Sequence, residues 1–320
     1  MPSTHRTDPG SGSGPPRYPG TFLLAFREAA ADLCWEVKRW LGDMVECVDE
    51  EGRKHVIGLE NLYRRARLTE RQNWVDLIRE FLKTAAVAEE SPALPAELAA
   101  VAGQLMIRVG TPMQSLTGDA KVWSEALGET GLCVNLVIDY DNRMCYVSEK
   151  LVKDSNKAGQ EWLRQAAENL RTRTPLDCLQ KVDADTEMRL CAVGDSYDSS
   201  RALLLNLLLP EHKTDGFFVA VPGRDQLLVL PVCRESLNFV HLLKVLAEKN
   251  YRTTPYPISR EVYWICDGVW RLFRIEISAK EATIEPPKEF LDVLARIAPE
   301  NIPAPEDSED DGGGEESPKD

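Results

Sequence analysis

The chain has 320 residues, of which 43% are hydrophobic and 28% charged, and its formal net charge at pH 7 is -14. This composition is typical of a globular protein with one large domain or two smaller ones. An acidic chain without a basic region argues against binding to nucleic acid or to an anionic membrane, because both require clustered Lys and Arg.

The two ends of the chain are poor in apolar residues. Residues 1–20 are rich in Gly, Pro and Ser, and residues 301–320 contain eight acidic residues and one Lys, a net charge of -7. Neither end can bury enough apolar surface to offset the entropy of ordering, so residues 1–20 and 300–320 are predicted to be disordered tails. The first residues lack the apolar core of a secretory signal, and no segment has the roughly 20 apolar residues of a membrane span. We therefore expect a cytoplasmic protein.

Between the tails, a helical and hairpin region is predicted at 21–110. Apolar residues recur at helical spacing over 21–41, which predicts one long amphipathic helix. The segments that follow are predicted to form a hairpin (44–48 with 55–59), a short helix (60–67), an amphipathic helix from residue 74 and a strand (105–109).

An α+β domain is predicted at 111–299. Strands are expected at 132–138, 144–147 and 188–193, hairpins at 217–221 with 226–230 and 262–266 with 269–275, and helices at 160–171, 197–209, 235–249 and 287–297. Pro222-Gly223 suits the centre of a type II turn, and Asp267-Gly268 is a two-residue hairpin signal. Regular βαβ spacing is missing, so the predicted fold class is α+β, with mostly antiparallel sheet hairpins interleaved with amphipathic helices.

The eight cysteines and four histidines are scattered along the chain, and neighbouring cysteines are at least twelve residues apart. Metal sites usually take ligands in close pairs, so we predict no metal site and no cofactor, and free thiols in apolar surroundings. No arrangement of catalytic residues can be identified from spacing alone.

The first candidate loop lies at residues 194–201. Gly194 bends the chain after a predicted strand, and Asp and Ser residues open a helix whose first amides could hold an anion. Its candidate ligand-binding residues are Asp195, Tyr197, Asp198 and Arg201. Asp195 or Ser196 as a helix N-cap explains the same composition without a ligand.

The second candidate loop lies at residues 222–225. Arg224 could present a guanidinium fork to a carboxylate or phosphate, with Asp225 orienting it. Alternatively, the two are an exposed pair of loop charges that neutralise each other.

Five sequence blocks follow one another in the second half of the chain: LVID at 136–139, MCYVSEKL at 144–151, AAENLR at 166–171, GDSYDSSR at 194–201 and VPGRDQLL at 221–228. With LENLY at 59–63, they resemble the YtpQ-like family of uncharacterised bacterial proteins. Gly223 departs from the family's Pro-Asn-Arg-Asp sequence, which has Asn at this position. The resemblance implies a bacterial, cytoplasmic α+β protein, and it assigns no activity, cofactor or catalytic residue.

Two classes of function fit these observations. The first is a binding or interaction module whose partner is another protein or an anionic small molecule, with no nucleic acid and no membrane. The alternative is a hydrolase or transferase that acts on an anionic small molecule through the 194–201 and 222–225 loops. The acidic residues 301–320 could also bind a basic partner.

Overall fold

The computed structural model describes residues 18–89, 95, 97–113, 121–140, 143–155, 157–278 and 281–299. Except for residues 18–20, both predicted tails lie outside these ranges. Within them, helices alternate with antiparallel sheets, which confirms the predicted α+β class.

The α-helices of the described residues are α1 (Gly20–Asp32), α2 (Glu60–Arg67), α3 (Trp74–Glu89), α4 (Glu149–Lys153), α5 (Gly159–Arg173), α6 (Leu205–Leu208), α7 (Val240–Thr253) and α8 (Phe290–Ile297). The strands are β1 (Glu36–Leu41), β2 (Met44–Val48), β3 (Lys54–Gly58), β4 (Leu105–Gly110), β5 (Ser124–Ala126), β6 (Cys133–Tyr140), β7 (Arg143–Tyr146), β8 (Gln180–Lys181), β9 (Arg189–Cys191), β10 (Phe217–Gly223), β11 (Gln226–Pro231), β12 (Val262–Cys266), β13 (Val269–Ile277) and β14 (Ala282–Glu285). Short 3₁₀ helices occur at Arg71–Asn73, Leu98–Gln104, Ser199–Leu204, Pro210–His212 and Glu235–Asn238.

The N-terminal part has a hydrophobic core of its own. Strands β1, β2 and β3 form one antiparallel sheet, and α1 packs against α3. The buried side chains of this cluster, which include Phe22, Phe26 and Ile78, all come from residues 18–86. Strand β4 ends at the predicted boundary after residue 110 but pairs with β6 beyond it. The division of the chain at residue 110 stays a prediction.

The predicted helix at 21–41 is wrong in its second half. Helix α1 ends at Asp32, and Cys34 has a φ of 60°, which reverses the chain. The residues after it form β1, which pairs with β2 through a two-residue turn whose Gly42 has a φ of 68°. Trp and Val suit a half-buried strand as well as a helix face, so their spacing did not distinguish the two structures.

A seven-stranded antiparallel sheet forms the centre of the C-terminal part, in the order β14-β13-β12-β10-β11-β9-β8. Its middle strands are buried on both faces. Phe218 lies opposite Leu230 and Trp264, and these side chains pack in a cluster with residues of α7 and α8. The next residues along these strands point the other way, because side chains alternate along a strand. They pack into a second cluster with residues of β4 and of the 199–209 segment.

Strand β6 lies in a smaller sheet. It pairs with β4 along one edge and with β5 and β7 along the other. Trp162 of α5 packs in the cluster of this sheet, as does Tyr197, whereas Ala202 and Leu205 pack in the cluster of the seven-stranded sheet. Residues 197–209 therefore lie between the two sheets.

Two other local predictions need correction. The helix predicted at 197–209 consists of the 3₁₀ helix Ser199–Leu204 and the short α6, and the Ser200 amide bonds to the Tyr197 carbonyl three residues before it. The 235–249 helix begins as a 3₁₀ helix, becomes α-helical only at α7 and runs on to Thr253.

The turn predicted at Pro222-Gly223 is also displaced. Gly223 pairs with Gln226, so Arg224 and Asp225 form the two-residue turn between β10 and β11. Gly223 is required for close packing, since an added Cβ would lie 2.4 Å from the Thr254 Oγ1 atom. This displacement places Arg224 at the tip of the hairpin.

Within the described residues, no helix combines the length and the apolar character that spanning a membrane requires.

Gly216 provides a test of how tightly the central sheet packs. Its φ is +82°, and an added Cβ would lie 2.2 Å from the Ile265 carbonyl oxygen. Gly268, in the turn between β12 and β13, has a φ of +76° and nothing within 4 Å of an added Cβ. We expect Gly268→Ala to lower the free energy of unfolding by about 1 kcal/mol, from backbone strain alone. Gly216→Ala should lower it by about 3 kcal/mol or more, because strain and overpacking add.

Equilibrium urea unfolding measures both losses. Equal losses for the two variants would show that the backbone at Ile265 gives way to the new methyl group.

Candidate functional site

The 194–201 loop turns sharply before its 3₁₀ helix begins. Gly194 and Ser196 both have positive φ values, 82° and 75°. The Asp198 carboxylate folds back over this turn and accepts hydrogen bonds from the Val193 amide (2.9 Å) and the Gly194 amide (2.8 Å). Asp198 thus fixes the loop from within and does not cap the helix that follows.

Arg201 is fully buried and is held by two carboxylates. Its Nη1 donates to Asp195 Oδ1 at 2.8 Å and to Asp198 Oδ1 at 2.9 Å, and its Nη2 donates to Asp195 Oδ2 at 2.8 Å. Its Nε is buried with no hydrogen-bond partner among the described residues, so the two terminal nitrogens make all these contacts. A buried guanidinium requires such pairing, because removing the charge from water costs several kcal/mol.

The pKa values follow from this pairing. Burial raises the pKa of Asp195, but the hydrogen bonds and positive charge of Arg201 outweigh that effect and hold the pKa below its usual range. Burial likewise lowers the pKa of Arg201, and the Asp195 carboxylate more than reverses the shift. Asp195 and Arg201 are therefore both charged near neutral pH, which argues for a structural ion pair.

Tyr197 is also enclosed. Its ring is buried, with the Arg173 guanidinium 5.1 Å from the ring centroid, and its hydroxyl has no hydrogen-bond partner among the described residues. Burial raises the pKa of this hydroxyl, and the negative charge of Asp139 raises it further. The side chain therefore stays neutral between the two sheets.

The two predicted loops meet. The Ser199 amide donates to the Arg224 carbonyl at 3.2 Å, and the Arg224 amide donates to the Tyr256 carbonyl at 3.0 Å. Ser200 ties the same segment to β4, since its Oγ accepts the Val109 amide at 3.0 Å. Backbone contacts on both sides thus hold the turn that carries Arg224.

The Arg224 side chain lies flat on an aromatic ring. Its Cζ atom is 3.6 Å from the centroid of the Tyr256 ring, and its Nε is 3.1 Å from Asp225 Oδ1. Both charged side chains are partly exposed, so their ion pair is weak, whereas stacking orders the guanidinium plane. The ion pair between Arg224 and Asp225, which was the alternative to a ligand-binding role, is therefore present. The Arg224 guanidinium is also held in place by stacking on Tyr256.

Arg224 lines a cleft of about 350 Å³. Arg108 of β4 lines it too, together with Asn135, Tyr146 and Tyr256. Arg108 lies opposite Asn135 in the β4–β6 ladder, and its Nη1 donates to the Tyr146 hydroxyl at 3.1 Å. None of the described residues that line the cleft is acidic. The two guanidinium groups give the cleft a positive character, which Asp225 partly offsets through its ion pair with Arg224.

The structure therefore separates the six candidate residues into two groups. Arg224 lines the cleft, and Asp225 is its neighbour and ion-pair partner. Asp198 and Arg201 are fully buried behind the hairpin, Tyr197 is enclosed, and Asp195 is engaged by Arg201. The ligand-binding roles stay predictions, and Arg224 is the one of these six residues that lines the cleft.

Sequence reasoning missed Arg108, Tyr146 and Tyr256. A usable signal existed for the first, since Arg108 is a single charged residue inside an otherwise apolar strand. Tyr256 stands between two prolines, which offers only a weak hint.

No group of three or more His, Cys, Asp or Glu side chains in the described part of the chain is placed to hold a metal ion. Comparison of the chain with protein-family models, curated proteins and solved structures gives no match.

The structural role of Arg201 can be tested by removing its charge. Arg201→Met removes the buried guanidinium that pairs with Asp195 and Asp198, and we expect the free energy of unfolding to fall by about 3 to 5 kcal/mol. Urea unfolding measures the loss. Arg252→Met is the matched control, because the Arg252 side chain is three-quarters exposed; its effect should stay within about 0.5 kcal/mol. Similar small effects for both variants would contradict the structural role.

Asp195 should also make stability depend on pH. Its pKa is lower in the folded protein than in the unfolded chain, so its contribution is complete above the unfolded value of about 3.9. The contribution is lost as the pH falls through the lower folded value. We expect Asp195→Asn to lower the melting temperature at pH 7 and the gap from wild type to shrink towards pH 3. A gap of constant size would contradict this. Asp43→Asn, at an exposed position, controls for the loss of one carboxylate.

Proposed function

We propose that the protein is a binding module for a small molecule that carries a carboxylate or phosphate group, held in the cleft between Arg108 and Arg224. The observation that supports this most directly is the pair of arginines lining one cleft without an acidic residue among its described walls. Guanidinium groups bind carboxylate and phosphate oxygens through paired, charge-assisted hydrogen bonds.

The rest of the cleft fits a small organic anion. Its volume of about 350 Å³ lies in the range of small-molecule sites. Pro257 and Ile258 add apolar surface to its walls, and Asn135 and the two tyrosines add polar groups. A ligand with one anionic end and one apolar end would use both kinds of surface.

A hydrolase or transferase is the alternative function. Shared use of both loops in catalysis would require the 194–201 side chains to reach the substrate. Arg201 and Asp198 are instead fully buried and paired with each other. The enclosed network favours binding over catalysis, and we retain the enzyme only as an outcome of the test below.

Membership of the YtpQ-like family, a bacterial origin and a cytoplasmic location are part of the same proposal. They are supported by the order of the sequence blocks. The family assigns no reaction, so the proposed ligand is inferred from the residues of the cleft alone.

Phenyl phosphate is a suitable probe because it joins a phosphate to an apolar ring. We expect isothermal titration calorimetry to detect its binding to the full chain, and Arg224→Met and Arg108→Met each to weaken that binding at least tenfold. Loss of a charge-assisted hydrogen bond, about 1.5–3 kcal/mol, accounts for this factor. Benzyl alcohol, which lacks the anionic group, should not bind measurably.

Arg252→Met serves again as the control, since it removes an equal charge from an exposed site on α7. Equal affinity of wild type and Arg224→Met would contradict the proposed site. Steady release of phenol from the probe, lost in Arg224→Met, would replace the binding module with the hydrolase.

A further inference from the structure

Two cysteines lie side by side behind the candidate loop. Cys178 and Cys191 both belong to the hydrophobic cluster on one face of the seven-stranded sheet. The β8–β9 ladder pairs Gln180 with Leu190, so both cysteines lie within two residues of that pair. Their side chains interact with each other.

The two thiols have different surroundings. Cys191 is fully buried, and its Sγ donates to Asp198 Oδ1 at 3.2 Å. Cys178 lines a cavity of about 400 Å³ whose walls include the exposed residues Gln180, Lys181 and Val193. A small reagent can therefore approach Cys178 from solvent, while Cys191 lies in the same hydrophobic cluster and does not line the cavity.

The charges and contacts around the two thiols also make Cys178 the more reactive of the two. The contact with Cys191 lowers the pKa of the Cys178 thiol. Burial and the negative charge of Asp198 oppose this shift, and the positive charge of Arg201 supports it. The contact with Cys178 and burial both raise the pKa of the Cys191 thiol. Thiolates are the nucleophilic form of cysteine, so Cys178 is the thiol that reacts first.

We propose that Cys178 and Cys191 form a dithiol site that a hydroperoxide oxidises to an intramolecular disulfide. The Cys178 thiolate attacks the terminal peroxide oxygen, the O–O bond breaks, and the alkoxide leaves as an alcohol with the proton that Cys178 gave up. Cys191 sulfur then attacks the sulfur of the Cys178 sulfenic acid, the S–O bond breaks, and hydroxide leaves as water with the Cys191 proton. Two thiols and one hydroperoxide thus give one disulfide, one alcohol and one water.

In the second step, the Asp198 carboxylate is placed to receive the proton that Cys191 loses. Its carboxylate already accepts the Cys191 hydrogen bond, so it lies where the Cys191 proton must leave. The same oxygen accepts a hydrogen bond from Arg201.

The test is peptide mapping after peroxide treatment of the folded full chain in a Cys34→Ser background, which removes an exposed thiol. We expect cumene hydroperoxide to link the tryptic peptides at 174–181 and 190–201, with a loss of two hydrogen masses. Cys47 and Cys133 should react at least tenfold more slowly, because burial raises the pKa of Cys47 to about 12 and also raises that of Cys133.

Two variants separate the two steps. Cys191→Ser should leave a sulfenic acid at Cys178 that dimedone labels, with no cross-link, whereas Cys133→Ser should leave the cross-link unchanged. Failure of the wild-type chain to form the 178–191 link at doses that oxidise Cys47 or Cys133 would overturn the proposal. Preferential linkage of Cys178 to any other cysteine would overturn it as well.

Discussion

The buried guanidinium of Arg201 is the constraint on which the site region depends. A charge in this position is tolerated only because Asp195 and Asp198 supply three hydrogen bonds to it. Asp198 in turn binds the amides of Val193 and Gly194, and so determines where the chain leaves β9. The ion-pair network therefore orients the segment that separates the two C-terminal sheets.

Each residue after Asp198 attaches that segment to a different part of the fold. Ser199 bonds to the turn of the β10–β11 hairpin, Ser200 to β4, and Arg201 to the two aspartates. The first two bonds reach the same two elements that carry Arg224 and Arg108. Residues 199–201 therefore help to fix the positions of β4 and of the β10–β11 turn, which carry Arg108 and Arg224. None of the candidate side chains at 195–201 lines the cleft itself.

The sequence predicted the fold class and most hairpins because those depend on local signals. Alternating apolar residues and an Asp-Gly turn indicate β12 and β13 without knowledge of the rest of the chain. The cleft is different, because Arg108, Arg224 and Tyr256 are brought together by packing between distant elements. The sequence predicted Asp198 as a ligand-binding residue, although a carboxylate near a helix start can equally be the partner of a buried arginine. Only the burial of Arg201 distinguishes these roles.

The overall acidity of the chain and the positive cleft act over different distances. At physiological ionic strength a charge is screened beyond about 8 Å, so a small anion seated between Arg108 and Arg224 responds mainly to the groups that line the cleft. A long polyanion would extend past these two residues and meet a chain whose net charge is -14. On the proposed function, this charge distribution favours a compact anion over nucleic acid, and the cleft volume suits an anion of the size of a metabolite.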